Sequence, residues 1–152
     1  GGLQVTMKVL FVCVANVGRS QVAEAWFNKL SVHDSVSAGT QADEIVSRTN
    51  PPSRMLKDAG SQGIPILGIP LMKHEGVDIS ERSSDQLTPT MVHEADRVIV
   101  MANRDSWPDY LGDSGKVTHW EITDPVGMDE HAALSIYDEI KRQVQELVRE
   151  TG

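Results

Sequence analysis

A single cysteine, Cys13, ends the apolar run KVLFVC, and Arg19 and Ser20 follow it six and seven residues later in CVANVGRS. A thiol, a guanidinium and a hydroxyl at that spacing suit nucleophilic chemistry on a tetrahedral oxyanion. The five residues between them, Val14, Ala15, Asn16, Val17 and Gly18, can wrap such an anion with inward-pointing N–H groups. A helix that starts at Ser20 adds its positive N-terminal end. Arg19 supplies a planar fork for two oxygens at once, which a lysine could not. The same positive field favours a thiolate, so Cys13 is the candidate nucleophile. Ser20 could donate its hydroxyl to that sulfur and make it a better leaving group. Asn16 and Gly18 are the residues here most tolerant of positive φ, which a tight cradle needs. On spacing alone, a buried structural thiol with a capping Arg and Ser remains an alternative.

The surrounding elements must hold that loop at a strand-to-helix junction. KVLFVCV, residues 8–14, is apolar and β-branched, as a strand covered on both faces should be. Residues 20–30 read as a helix with Val22, Ala23, Trp26, Phe27 and Leu30 on one side. SVSAGT at 35–40 reads as a second strand, RVIVM at 97–101 as a third and KVTHWE at 116–121 as a fourth. Thr88 and Pro89 mark a helix start before the third strand. Residues 129–150 repeat Ala133, Tyr137, Ile140, Val144 and Leu147 at helical spacing. Strands alternating with helix-length segments predict an α/β fold: a single-domain three-layer sandwich with a central four-stranded parallel sheet and helices on both faces. The domain is expected over 7–152, with GGLQVT ahead of Met7 a leftover outside it. Parallel sheets of this kind bind ligands at the carboxyl ends of their strands, where Cys13 stands. Residues 60–72, GSQGIPILGIPLM, mix three glycines and two prolines with apolar side chains. They are expected as an ordered loop packed on the body, with a lid or dimer contact as the sharper alternative.

Composition narrows the partners. A net charge of -8 argues against nucleic acid, whose phosphates call for a basic surface. No apolar run approaches the length of a membrane span, and one cysteine fits a reducing cytoplasm. The five histidines show no metal-ligand spacing, so neither a metal nor a cofactor is expected. The carboxylates Asp124, Asp129 and Glu130 are expected near the mouth of the site, with Arg48 placed to offset them.

The stretch VLFVCVANVGRSQVAEAWFNKL, with SAGT at 37–40, ADRVIVM at 95–101 and TDPV at 123–126, resembles the low-molecular-weight protein tyrosine phosphatase family and the arsenate reductases of the same fold. The resemblance covers nearly the whole chain from Met7. It implies a phosphatase acting on phosphomonoesters, either phosphorylated protein, phosphotyrosine above all, or a small phosphomonoester, and binding phosphate-like oxyanions. Cys13 would form a phosphocysteine, Arg19 and the loop amides of residues 14–20 would hold the oxygens, and Asp124 would act as general acid and then base. Asn16, Ser20 and Ser37 match positions that support the loop.

Several residues depart from the family pattern. Ala15 replaces the usual loop glycine, and Gly18 stands where a second loop cysteine is common. Val126 and Gly127 replace the paired tyrosines of eukaryotic members, and no aromatic residue lies near Asp43 and Glu44. Trp107 or Tyr110 could supply that wall, although packing on the surface is their simpler role. Val14 stands where phosphoarginine phosphatases favour Thr. Gln21 follows Arg-Ser as in the arsenate reductases, which makes arsenate reduction the alternative activity. Met101 to Asn103 hold none of the further cysteines such enzymes use, so reduction would require an external low-molecular-weight thiol. A binding module that has lost turnover is the third reading, weakened by the presence of nucleophile, Arg and acid together.

Overall fold

The central strand β1 (Lys8–Cys13) divides its side chains between two cores by the two-residue strand period. Val9, Phe11 and Cys13 face one core, and Leu10 and Val12 face the other. Both faces are therefore covered, which explains the unbroken apolar run. In this computed structural model residues 5–61 and 66–152 are described. The other strands are β2 (Asp34–Gly39), β3 (Arg97–Val100) and β4 (Val117–His119), all parallel, in the order β2-β1-β3-β4. The helices are α1 (Arg19–Leu30), α2 (Ala42–Ser47), α3 (Leu56–Ser61), α4 (Gly68–His74), α5 (Pro89–Glu94), α6 (Asp109–Gly112) and α7 (Glu130–Thr151). Helices α1 and α7 pack on the Cys13 face of the sheet, while Val92 of α5 and Leu111 of α6 bury against the opposite face. The α/β sandwich is the one its alternating segments predict.

Two caps act as expected of their residue types. Thr88 accepts a hydrogen bond from Met91 N–H at the start of α5. Asp129 does the same for Ala132 N–H at the start of α7, so this carboxylate is a helix cap.

Elsewhere the structure corrects the expectation. Of residues 60–72, Gln62 to Pro65 lie outside the described residues, but Gly68 onward forms α4 and buries Met72 among Leu56 and Ile79. Pro70 is tolerated because it falls in the first turn, where backbone N–H groups have no intrahelical partner. The fourth strand is shorter than the apolar pattern suggests. It ends at His119, after which Trp120 N–H still bonds to Val100 O while Ile122 N–H turns back onto Trp120 O. That turn points the Ile122 carbonyl toward Arg19. Among the described residues no helix is long and apolar enough to cross a membrane.

Candidate active site

Residues 14–18 leave the end of β1 and turn into α1 within a space closed by β2. Thr40 and Gln41 N–H bond to the carbonyls of Cys13 and Val14, so the start of the loop is held against the chain leaving β2. Gly39 makes this approach possible: a Cβ there would lie 2.5 Å from Val14 O and 3.0 Å from Asn16 N. Those neighbours are backbone and cannot swing aside. Gly39→Ala is therefore expected to cost about 3 kcal/mol in urea unfolding, near the upper end of typical overpacking penalties. It should also weaken oxyanion binding, because the obstructed atoms belong to the cradle. A midpoint equal to that of the unsubstituted protein would show that the loop has room to move.

Within the loop, Asn16 takes the left-handed conformation at φ 58°. Gly18 does not, with φ -123°, so its lack of a side chain serves space and not backbone freedom. Cys13 is 2% exposed, and its Sγ lies 2.9 Å from Ser20 Oγ and 3.3 Å from the Asn16 N–H. Asn16 Nδ2 donates to Ser20 Oγ at 2.7 Å, which leaves the serine proton free to donate to the sulfur. Ser20 Oγ–H and the Asn16 N–H are thus the two groups placed to donate to the sulfur. Expected support from Ser37 is absent: it makes no hydrogen bond to the loop and opens on a surface cleft beside the Arg82–Glu24 ion pair. In register with Phe11 it lies on the Cys13 face but two residues before Gly39, the position that meets the loop, and so sits beside Gln21 and Glu24 of α1.

The supporting bonds come from residues distant in the chain. Ser84 Oγ donates to Ala15 O, and Asp85 N–H donates to Asn16 Oδ1. Gln21 Nε2 contacts Asn16 O, Asn16 Oδ1 and Ser83 O at 3.0–3.2 Å. The loop is thus stapled to residues 83–85, a segment with no periodic or motif signal in the sequence. Gln21 braces the loop from behind through Nε2 alone, its buried Oε1 having no hydrogen-bond partner among the described residues, and it lines neither cleft beside Arg19.

Arg19 Nη1 donates to Met101 O at 2.7 Å and Ile122 O at 2.8 Å, the carbonyls just beyond β3 and β4. This uses both hydrogens of that nitrogen and leaves the Nε and Nη2 fork for an anion. Nη2 lies 3.8 Å from Asp124 Oδ2, and Asp124 is about half exposed. Val126 N–H donates to Asp124 Oδ1 at 3.0 Å, which orients the carboxylate. Arg48 pairs with Glu44 on α2 and so is not positioned by Asp124.

Two clefts meet at Arg19 and Asp124. An open one of about 520 Å³ runs past Val14, Asn103, His119 and Glu121. The reacting sulfur opens instead on a narrow pocket of about 60 Å³ walled by Val17, Gly18, Ile66, Pro125, Val126 and Tyr137. Tyr137 is therefore a pocket residue that helical periodicity registers only as core. Burial first, then the neighbouring Cys13 and Asp124 charges, push its phenol up to about 12 against the opposing effect of Arg19. Trp107 donates from Nε1 to Ala102 O and packs edge-on to His119, and Tyr110 donates to Leu87 O. Neither lines the pocket. Among the described residues no group of three or more His, Cys, Asp or Glu side chains could hold a metal ion.

A family profile described as low molecular weight phosphotyrosine protein phosphatase matches residues 8–151. The chain belongs to this family. The family fold also carries arsenate reductases, and both kinds of enzyme appear among its relatives. An arsenate reductase 2 of Staphylococcus epidermidis is 28% identical over 140 residues, covering 90% of this chain and 92% of the relative. Vibrio vulnificus Wzb, solved in complex with benzylphosphonate, superposes with a TM-score of 0.73 at 23% identity, covering 96% of this chain and 99% of its own. An arsenate reductase solved in the phosphate binding state reaches a TM-score of 0.74 at 23% identity, covering 97% of this chain and all of its own. At those identities the two solved structures speak for the fold. In this member of the phosphatase family, Cys13, Arg19 and Asp124 line one pocket with Ala15, Val17 and Gly18 of the loop, and buried Ser20 lies against the sulfur.

Proposed function

We propose that this protein hydrolyses phosphomonoesters, with phosphotyrosine or a related aryl phosphate as the leading substrate class. The observation that carries this reading is the convergence of a hydrogen-bonded thiol, an Arg fork and a half-exposed carboxylate on one narrow pocket. In the first step the Cys13 sulfur attacks phosphorus in line, and the bond from phosphorus to the leaving oxygen breaks. Arg19 and the loop N–H groups hold the other oxygens while Asp124 gives its proton to the leaving oxygen. In the second step Asp124 takes a proton from water, the water oxygen bonds to phosphorus, and the S–P bond breaks. Ser20 donates to the departing sulfur. The apolar walls at Val17, Ile66 and Val126 suit an aryl group, and binding of phosphate or benzylphosphonate by relatives of this fold supports an oxyanion in the cradle.

A second reading has a specific observation in its favour, since curated relatives at 26–29% identity are named arsenate reductases. Arsenate has nearly the shape of phosphate, so the same cradle would accept it. However, Cys13 is the chain's one thiol, so an arsenic adduct on it meets no second sulfur and must wait for a diffusing one. Gln21, the residue that suggested reduction, is engaged as a brace behind the loop.

One paired assay separates the two. The protein is given an aryl phosphate without thiols, and separately arsenate with glutathione, mycothiol or bacillithiol and the matching redoxin and reductase. Phosphate release in the first, with arsenate acting mainly as a competitive inhibitor, is the expected result. Thiol-dependent arsenite formation with negligible phosphate release would establish the second reading in its place.

A further inference from the structure

The proposed chemistry makes no use of a buried phenol that stands beside it. Helix α7 carries Tyr137 onto the Cys13 face of the sheet, where the residue is 6% exposed and its ring packs in the core. The hydroxyl is the part that reaches the loop. A Cβ on Gly18 would lie 2.9 Å from the hydroxyl oxygen but 4.0 Å from the ring carbon that bears it. Among the described residues this hydroxyl makes no hydrogen bond to protein, and it lies on the wall of the pocket that contains Cys13 and Asp124. The hydroxyl opens onto that pocket and has its proton uncommitted, so a ligand seated there is the acceptor within its reach. With its ionisation pushed up to about 12, the phenol stays a neutral donor wherever an enzyme of this kind works.

We propose that the Tyr137 hydroxyl donates a hydrogen bond to a non-bridging oxygen of the group seated on Cys13, and that Gly18 lacks a side chain in order to admit it. This rests on the reading of the Cys13 pocket as an oxyanion site. Tyr137 then completes a ring of donors otherwise made by the loop N–H groups and Arg19. The bond strengthens as negative charge grows on the phosphoryl oxygens, so it favours the transition state over bound phosphate.

Tyr137→Phe tests this, because it keeps the ring and removes only the oxygen. It is expected to lower kcat for aryl phosphates by about 10- to 100-fold, the loss typical of a hydrogen bond to a charged group. The factor should be equal for p-nitrophenyl and phenyl phosphate, since the hydroxyl does not touch the leaving oxygen. Orthovanadate inhibition should weaken by a similar factor and phosphate affinity by less, a split that a packing role would not produce. Gly18→Ala, whose methyl displaces the hydroxyl, should show the same losses and carries the test if Tyr137→Phe does not fold. Adding Gly18→Ala to Tyr137→Phe should cost little more, because the obstructed oxygen is gone. Unchanged kcat and vanadate affinity in Tyr137→Phe, or losses that multiply in the double variant, would overturn the proposal alone. An unsubstituted protein that neither hydrolyses aryl phosphates nor binds vanadate would overturn the oxyanion reading, and this proposal with it.

Discussion

Cys13→Ser should remove aryl phosphate hydrolysis by a factor on the order of 10⁴–10⁶, the scale of deleting a covalent nucleophile, while phosphate and orthovanadate still bind. The sulfur sits between Ser20 Oγ and the Asn16 N–H, the two groups placed to donate to it. A serine hydroxyl in its place stays protonated, and Asp124 across the pocket is positioned beside Arg19, not as a base for residue 13. The anion cradle survives the change. Arg19 remains anchored on Met101 O and Ile122 O, and the loop remains stapled to Ser84 and Asp85. Calorimetric titration with phosphate measures the retained binding, and a phosphate-release assay measures the lost turnover. Hydrolysis at the original rate would exclude a phosphocysteine and return Cys13 to a buried structural thiol.

Asp124→Asn should slow phenyl phosphate by about 10²–10⁴, the range of general acid catalysis, and p-nitrophenyl phosphate much less. A phenolate leaves poorly without a proton, whereas p-nitrophenolate leaves readily. Asparagine keeps the turn, since its Oδ1 can accept from Val126 N–H as the carboxylate does. It also removes the negative charge 3.8 Å from Arg19, so phosphate affinity should not fall. Rates plotted against leaving-group pKa are the measurement: a steeper slope in the variant identifies the acid. An equal loss across all leaving groups would make Asp124 a turn residue.

The two-residue and helical periods were legible because each depends on which face of a single element meets the core. Val9, Phe11 and Cys13 alternate with Leu10 and Val12 in the sequence as they do between the two cores. Residues 60–72 were harder. Two prolines and three glycines lower helix propensity everywhere, yet α4 places Pro70 where a missing N–H costs nothing. The pattern cannot show that, because a first turn is defined only once the helix has a start.

The local chemistry of the loop could be read directly from the chain. A cradle of five residues, its thiol, its Arg fork and its serine all lie within eight consecutive positions, where covalent connection alone brings them together. The turn at Asn16 belongs with them, since αL tolerance is a property of residue type. What lies far along the chain was decided by packing. Ser84 and Asp85 brace the loop from 69 residues away, Ser37 turns to another cleft, and Gly18 is empty for the sake of a phenol from α7. Such contacts depend on the relative placement of whole elements, which the burial of α1 and α7 on one face of the sheet determines. A helical stripe specifies that Tyr137 points inward; only the packed sheet specifies that inward means toward Cys13.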